Sequence, residues 1–145
     1  MSTTVRQLLS GKGDQIFGVG PQDTVFEAIR RMAEHGVGAL LVMAGAELHG
    51  ILSERDYARK VILQGKNSRD TAVADIMTPK EKLIVATPAM TVNDCLGLMT
   101  NKRIRHLPVL DGERVVGVLS IGDLVKSIIS AQQREIEQLS QYIAG

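Results

Sequence analysis

Gly50-Ile-Leu-Ser-Glu-Arg-Asp56 and Gly117-Val-Leu-Ser-Ile-Gly-Asp123 are one seven-residue phrase written twice, 67 residues apart. In each, a short apolar run reaches a serine, and an aspartate follows three residues later. That spacing suits a helix start, where serine and aspartate satisfy amides that have no partner inside the helix. Working outward at the same offset, residues 19–62 align with 86–129 without a gap, and 12 of the 44 pairs are identical. Pro21/Pro88, Thr24/Thr91, Met32/Met99, Leu40/Leu107 and Gly45/Gly112 are among them. A looser echo precedes each copy, residues 5–10 resembling 73–78. The chain is a tandem duplication, and the period governs every later assignment.

Each copy predicts the order β-α-β-β-α. A short apolar strand around 16–19 or 83–86 leads through a proline turn to a helix. Thr24 and Thr91 are its N-cap candidates, with Glu27 and Asp94 placed to close capping boxes. The helical stripes are Val25, Ala28, Ile29, Met32 and Val92, Cys95, Leu96, Met99. Two apolar strands follow, 39–43 with 48–52 and 106–110 with 115–119, each pair closed by a turn at Gly45 or Gly112. A last helix begins at each serine, with stripes Tyr57, Ala58, Val61, Ile62 and Leu124, Val125, Ile128, Ile129. Residues 64–71 form a polar linker. A unit of about 60 residues is marginal alone, so the expectation is an α/β fold whose two βαββα repeats pack with pseudo-two-fold symmetry into one compact domain. The boundaries fall at 1–66 for the first repeat with its N-terminal segment, 67–130 for the second, and 131–145 for a C-terminal amphipathic helix.

Composition narrows the classes. The chain has 145 residues, 44% hydrophobic and only 3% aromatic, so its core is aliphatic. Seventeen basic against 16 acidic residues leave a net charge of +1, which argues against a nucleic-acid binder. A single cysteine, Cys95, excludes an intrachain disulfide and a cysteine-only metal cage, and its place on a core stripe reads as a small hydrophobe. His35 and His49 lack metal-ligand spacing and read as surface or turn positions. No apolar run reaches the length of a signal peptide core or a membrane span, and the expectation is a soluble cytoplasmic protein without a membrane contact. Gly11-Lys-Gly-Asp14 lacks phosphate-loop spacing, and Gly18-Val-Gly20 lacks the third glycine of a dinucleotide fingerprint.

The Ser-x-x-Asp junctions admit two readings. One is a cap and nothing more. In the other, a hydroxyl and a carboxylate one turn apart hold vicinal hydroxyls such as those of a ribose, beside a helix start that favours anions.

The whole chain resembles a tandem pair of cystathionine-β-synthase (CBS) domains. The likeness rests on the βαββα duplication, on Arg103-Ile-Arg-His-Leu-Pro-Val-Leu-Asp111, and on the two glycine-to-aspartate junctions, and it covers roughly residues 5–130. The resemblance implies a regulatory module that binds AMP, ADP, ATP, NAD or S-adenosylmethionine in clefts between the repeats, AMP foremost, often as a disc-like homodimer. By the same likeness Ser53 and Asp56 hold the ribose in one cleft, with Leu83, Ile84 and Val85 around adenine and Arg105 and His106 near phosphate. Ser120 and Asp123 serve the other, with Ile16, Phe17, Val37 and Gly38 lining it and Lys12 at its edge. Arg55 and Arg59, close to the first junction, suit a phosphate. His106 also reads as a partly buried strand-edge residue.

Basic residues are not duplicated. Arg103-Ile-Arg-His106 stands where the first copy has Gly36-Val-Gly-Ala39, and Arg55 faces Gly122. The implied arrangement gathers them at the Ser53/Asp56 cleft. No nucleophile–base pair, carboxylate pair or metal cluster is visible, so an enzyme with a catalytic cofactor is not expected. The competing reading is a structural or dimerisation adaptor without a nucleotide. It draws on the tail, where Ile136, Leu139 and Ile143 continue an apolar stripe that either packs on its own domain or meets a second chain. The regulated target is not legible.

Overall fold

The computed structural model describes residues 3–12 and 16–144. In chain order the elements are α1 (Val5–Lys12), β1 (Gly18–Val19), α2 (Val25–His35), β2 (Ala39–Ala44), β3 (Glu47–Ser53) and α3 (Glu54–Tyr57), which runs into a π-helical turn at Ala58–Ile62. Then come α4 (Val73–Ile76), β4 (Thr78–Pro79), a 3-10 turn at Lys80–Lys82, α5 (Val92–Lys102), β5 (His106–Asp111), β6 (Arg114–Ser120) and α6 (Ile121–Ala144). The fold is α/β, as the doubled pattern requires.

Packing divides the chain into two compact units, Gln15–Ile84 and Met1–Asp14 with Val85–Gly145. The flanking segments are therefore exchanged relative to chain order: α1 packs with the second repeat, and 67–84 with the first. Matching backbone bonds show why. Val5 N–H donates to Met90 O at 2.8 Å and Arg6 N–H to Pro88 O at 3.0 Å. In the other unit Val73 N–H donates to Asp23 O and Ala74 N–H to Pro21 O, both at 2.9 Å. Each flank thus supplies donors to the proline turn that opens an α helix, and equivalent residues do the same work twice.

In unit 15–84, β1 runs parallel to β2, β2 antiparallel to β3, and β3 antiparallel to β4. Val19, Val25, Ala28, Met32, Leu40, Val42, Leu52, Val61, Val73 and Ile76 form its buried cluster. In the other unit β5 and β6 pair antiparallel, with Val5, Val92, Cys95, Met99, Leu107, Val109, Leu119 and Leu124 buried. Both hairpins slip register at the same place, between Val42 and Met43 and between Val109 and Leu110. A repeated irregularity of this kind belongs to the fold.

Several local expectations change. The strand expected at 83–86 shrinks to one parallel bridge, Ala86 with Val109: where the Leu41 amide donates to Phe17 O in the first copy, the equivalent residue here is Pro108, which has no N–H to donate. Its counterpart at 16–19 pairs only at Gly18–Val19, and Ile16 is exposed. Thr24 caps α2 by accepting from the Glu27 amide, but Glu27 does not close the box; its carboxylate takes Arg30 and Arg31 instead. Those arginine hydrogen bonds hold its carboxyl down to about 2. Thr91 and Asp94 do form the reciprocal box. The stripe on the last helix of the first copy holds in part: Val61 is buried and Tyr57 packs against the same cluster, while Ala58 and Ile62 are exposed where the π turn, with Leu63 N–H donating to Ala58 O, shifts the helical phase.

The polar stretch 64–71 is packed as well as connecting. Phe26 N–H donates to Ser68 O at 3.0 Å, and the Arg69 guanidinium lies 4.2 Å from the centre of the Phe26 ring. Cys95 is a buried thiol, pushed up by desolvation and by the nearby Asp94 charge. Among the described residues no helix is long and apolar enough to cross a membrane.

Candidate functional site

Both junctions sit where the second strand of a hairpin turns into a helix. In unit 15–84, β3 ends at Ser53 with φ −115° and ψ 164°, extended values that let its hydroxyl swing over the first turn of α3. Ser53 Oγ accepts from the Asp56 amide at 3.2 Å, and Asp56 Oδ2 accepts from the Ser53 amide at 3.0 Å and from Ser53 Oγ at 3.1 Å. The other carboxylate oxygen, Oδ1, lies 3.2 Å from Lys60 Nζ. Lys60 also donates to Ile76 O at 2.9 Å.

The second junction repeats the cap. Asp123 Oδ2 accepts from the Ser120 amide at 2.8 Å, and Ser120 Oγ accepts from the Asp123 amide at 3.1 Å. The lysine is different. Lys12, the last residue of α1, donates to Asp123 Oδ2 at 2.7 Å and to Val118 O at 2.6 Å. Desolvation opposes ionisation of Asp123, but the hydrogen bonds from Lys12 and Ser120 and the Lys12 charge outweigh it and hold the carboxyl below its ordinary range.

Glycine at the head of each phrase lets a flanking segment come close. A Cβ at Gly50 would run into the Thr78 carbonyl oxygen of β4, while one at Gly117 would meet Leu9 Cδ2 of α1 at 2.7 Å. The first obstacle is backbone and the second is the tip of a flexible side chain.

Within unit 15–84, Ser53 and Asp56 are half-buried, Arg55 and Arg59 are exposed, and Leu83 and Ile84 are half-buried. Phe17 is half-buried with its ring stacked on His35 at 3.9 Å between centroids, and Val37 and Gly38 are also half-buried. Gly38 O accepts from the Glu54 amide at 3.0 Å, which anchors the start of α3. In the other unit, Arg105 O accepts from the Ile121 amide at 2.9 Å and anchors α6 in the same way. Arg105 is exposed, and Val85, His106, Ser120 and Asp123 are half-buried. Of the residues singled out in the sequence, the structure therefore brings Lys12 onto Asp123, and it sets the carbonyls of Gly38 and Arg105 beside Ser53 and Ser120. Among the described residues no group of three or more His, Cys, Asp or Glu could hold a metal ion. Sequence reasoning passed over Lys60, although a lysine four residues after an aspartate on one helix is the spacing of an ion pair.

A duplicated strand–serine–helix junction, each carrying a half-buried carboxylate, on two α/β units with exchanged flanks defines a tandem α/β repeat. The chain belongs to the CBS-domain family: the family model matches residues 13–62 and 73–130. It is 42% identical to the CBS domain-containing protein CBSX3, mitochondrial, of Arabidopsis thaliana, over 99% of this chain and 73% of that protein. A solved CBS-domain protein from Burkholderia ambifaria is 50% identical, with a TM-score of 0.85 over 90% of this chain and 96% of that one. The CBS domain pair of protein MJ0100, solved with 5′-methylthioadenosine and S-adenosyl-L-methionine, shares the fold with a TM-score of 0.78 at 23% identity, over 90% of this chain and 99% of that one.

Proposed function

We propose that the chain is a regulatory module that binds an adenosine-containing ligand, with Asp56 and Asp123 accepting from ribose hydroxyls and Ser53 and Ser120 alongside them. The observation that carries this reading is the pair of equivalent junctions, one in each unit, each offering a carboxylate held by its own cap and still partly open to solvent. A carboxylate fixed in this way is pre-oriented for a diol. The ligand pair on the MJ0100 fold supports the adenosine class. Arg55 and Arg59, exposed beside Ser53 and Asp56, favour a phosphorylated ligand there, AMP first and ATP, ADP or NAD after it.

Isothermal titration and thermal shift with AMP, ATP, NAD, S-adenosylmethionine and adenosine test the proposal. At least one of these ligands raises the unfolding temperature of the wild type and loses affinity in the Asp56→Ala, Asp123→Ala double variant. Failure of all of them at millimolar concentration overturns it. The reading extends to a cytoplasmic homodimer that passes ligand occupancy to a regulated protein. The mitochondrial name of the Arabidopsis relative makes cell fractionation the check on compartment.

The adaptor reading keeps one specific support. On α6, Ile136 and Leu139 are each 62% exposed and Ile143 is 83% exposed, more apolar surface than one helix ordinarily shows to water. Deleting 131–145 lowers the mass seen by light scattering if this stripe joins two chains, and leaves it unchanged if it does not.

A further inference from the structure

We propose that Lys12 is a built-in competitor for the Asp123 carboxylate: sugar hydroxyls displace its ammonium, and that displacement releases the end of α1 from β6. The inference rests on the adenosine reading of Ser120 and Asp123 and names how that site is regulated.

Lone-pair counting carries the first step. A carboxylate oxygen accepts about two hydrogen bonds. Asp123 Oδ2 already accepts two, from Lys12 Nζ at 2.7 Å and from the Ser120 amide at 2.8 Å. A vicinal diol that engages both carboxylate oxygens needs one of those donors to leave. The Ser120 amide is fixed by the backbone of the cap. The Lys12 ammonium rides on a flexible stem, and its ion pair is partly exposed, with 37% of the lysine and 25% of the aspartate side chain open to solvent. Pairs of that kind are weak enough for a ligand to break.

The second step follows from where Lys12 sits. It is the last residue of α1, and its other bond, to Val118 O at 2.6 Å, runs to β6. Leu9, one turn earlier, lies over Gly117 of the same strand. The ammonium is thus the polar tie that fastens the end of α1 to the strand and to the sugar site together. The other unit makes this link from the opposite side: Lys60 pairs with Asp56 Oδ1 at 3.2 Å and donates to Ile76 O of α4 at 2.9 Å, so there the lysine reaches the flank and does not belong to it. Asp56 takes its lysine from four residues along its own helical segment, and the position equivalent to Lys60 is Ser127. Displacing Lys60 frees a side chain that touches the last residue of α4, whereas displacing Lys12 frees the end of α1 itself.

Adenosine is the probe, because it carries the diol and no charge. In the full-length chain with Asp56→Ala silencing the other junction, Lys12→Met binds adenosine about two- to fivefold more tightly than Lys12 does. Rising salt screens the competing ion pair, so it tightens adenosine binding in the Lys12 protein and leaves Lys12→Met unchanged. Lys12→Arg restores the weak, salt-sensitive binding. In the otherwise unaltered chain, adenosine speeds hydrogen exchange across α1, which needs no second substitution to interpret. Equal or weaker binding by Lys12→Met, or α1 exchange that slows with adenosine, overturns the inference while leaving the adenosine site intact. Adenosine binding to neither protein overturns the site itself.

Discussion

Asp56 and Asp123 occupy the same step of the repeat and accept from equivalent serines, Ser53 and Ser120, yet different parts of the chain neutralise them. Asp56 is matched by Lys60 within its own helical segment, and Asp123 by Lys12 at the end of a flanking helix. The flanks differ in the same sense. In unit 15–84 the segment lying on the hairpin is a short helix followed by a strand, and Thr78 backs directly onto Gly50. In the other unit it is an uninterrupted helix of eight residues, and a leucine side chain rests on Gly117. Duplication copied the cap, and divergence chose what touches it. One carboxylate takes a lysine from its own helical segment, which also reaches the flank at Ile76 O. The other takes a lysine carried by the flank itself.

The largest effect expected from breaking this comparison is at the two glycines. Gly50→Ala forces a methyl group into a backbone carbonyl and should cost about 3 kcal/mol, while Gly117→Ala asks only that Leu9 shift and should cost about 1 kcal/mol. Urea unfolding of the two variants side by side reads the difference directly. Equal losses would show that the two flanks are held in the same way.

Ligand binding comes next. Asp56→Ala and Asp123→Ala each remove a charge-assisted acceptor and should weaken the ligand at their own junction by roughly ten- to a hundredfold. Arg55→Ala sharpens the contrast: it should weaken AMP more than adenosine, a loss that shrinks at high salt. Titrations with both ligands separate a phosphate contact from a change in the shape of the site.

Caps give a smaller asymmetry. Thr91→Ala removes the acceptor of the Asp94 amide but leaves the Asp94 carboxylate its bond from the backbone amide of residue 91, so it should cost about 0.5–1 kcal/mol. Thr24→Ala loses one acceptor while Glu27 stays with its arginines, and about 1 kcal/mol is expected. Thermal melts of the two variants rank them.

The smallest effect is at the lysine. Asp123 titrates below its ordinary value near 3.8 in the folded chain, so its pairing adds stability above that pH and loses it as the pH falls through the lowered folded value. Lys12→Met should cost less than about 1 kcal/mol at neutral pH and flatten part of the acid limb below pH 4. Stability measured from pH 7 down to pH 3 in both proteins checks the sign. A wild-type acid limb that Lys12→Met leaves unchanged would place the depression on the Ser120 cap alone.

Much of this was legible beforehand. The offset repeat, the caps at Thr24, Thr91, Ser53 and Ser120, the two hairpins and the buried Cys95 all follow from residues a few positions apart or from a period that needs no three-dimensional information. The misreadings share a cause. A run such as 83–86 is apolar enough for a strand, but pairing depends on the amides its neighbour offers, and Pro108 has none where Leu41 donates in the first copy. Glu27 has capping-box spacing, but two arginines on the next turn compete for it and win.

Sequence alone determined that the chain is two copies of one α/β unit and that a serine and an aspartate open the final helix of each, because capping, periodicity and turn chemistry are local. Tertiary structure decided which flank lies on which repeat and which lysine meets which aspartate. Lys12 and Asp123 are 111 residues apart in the chain, and an ion pair depends on distance in space, which no local spacing encodes.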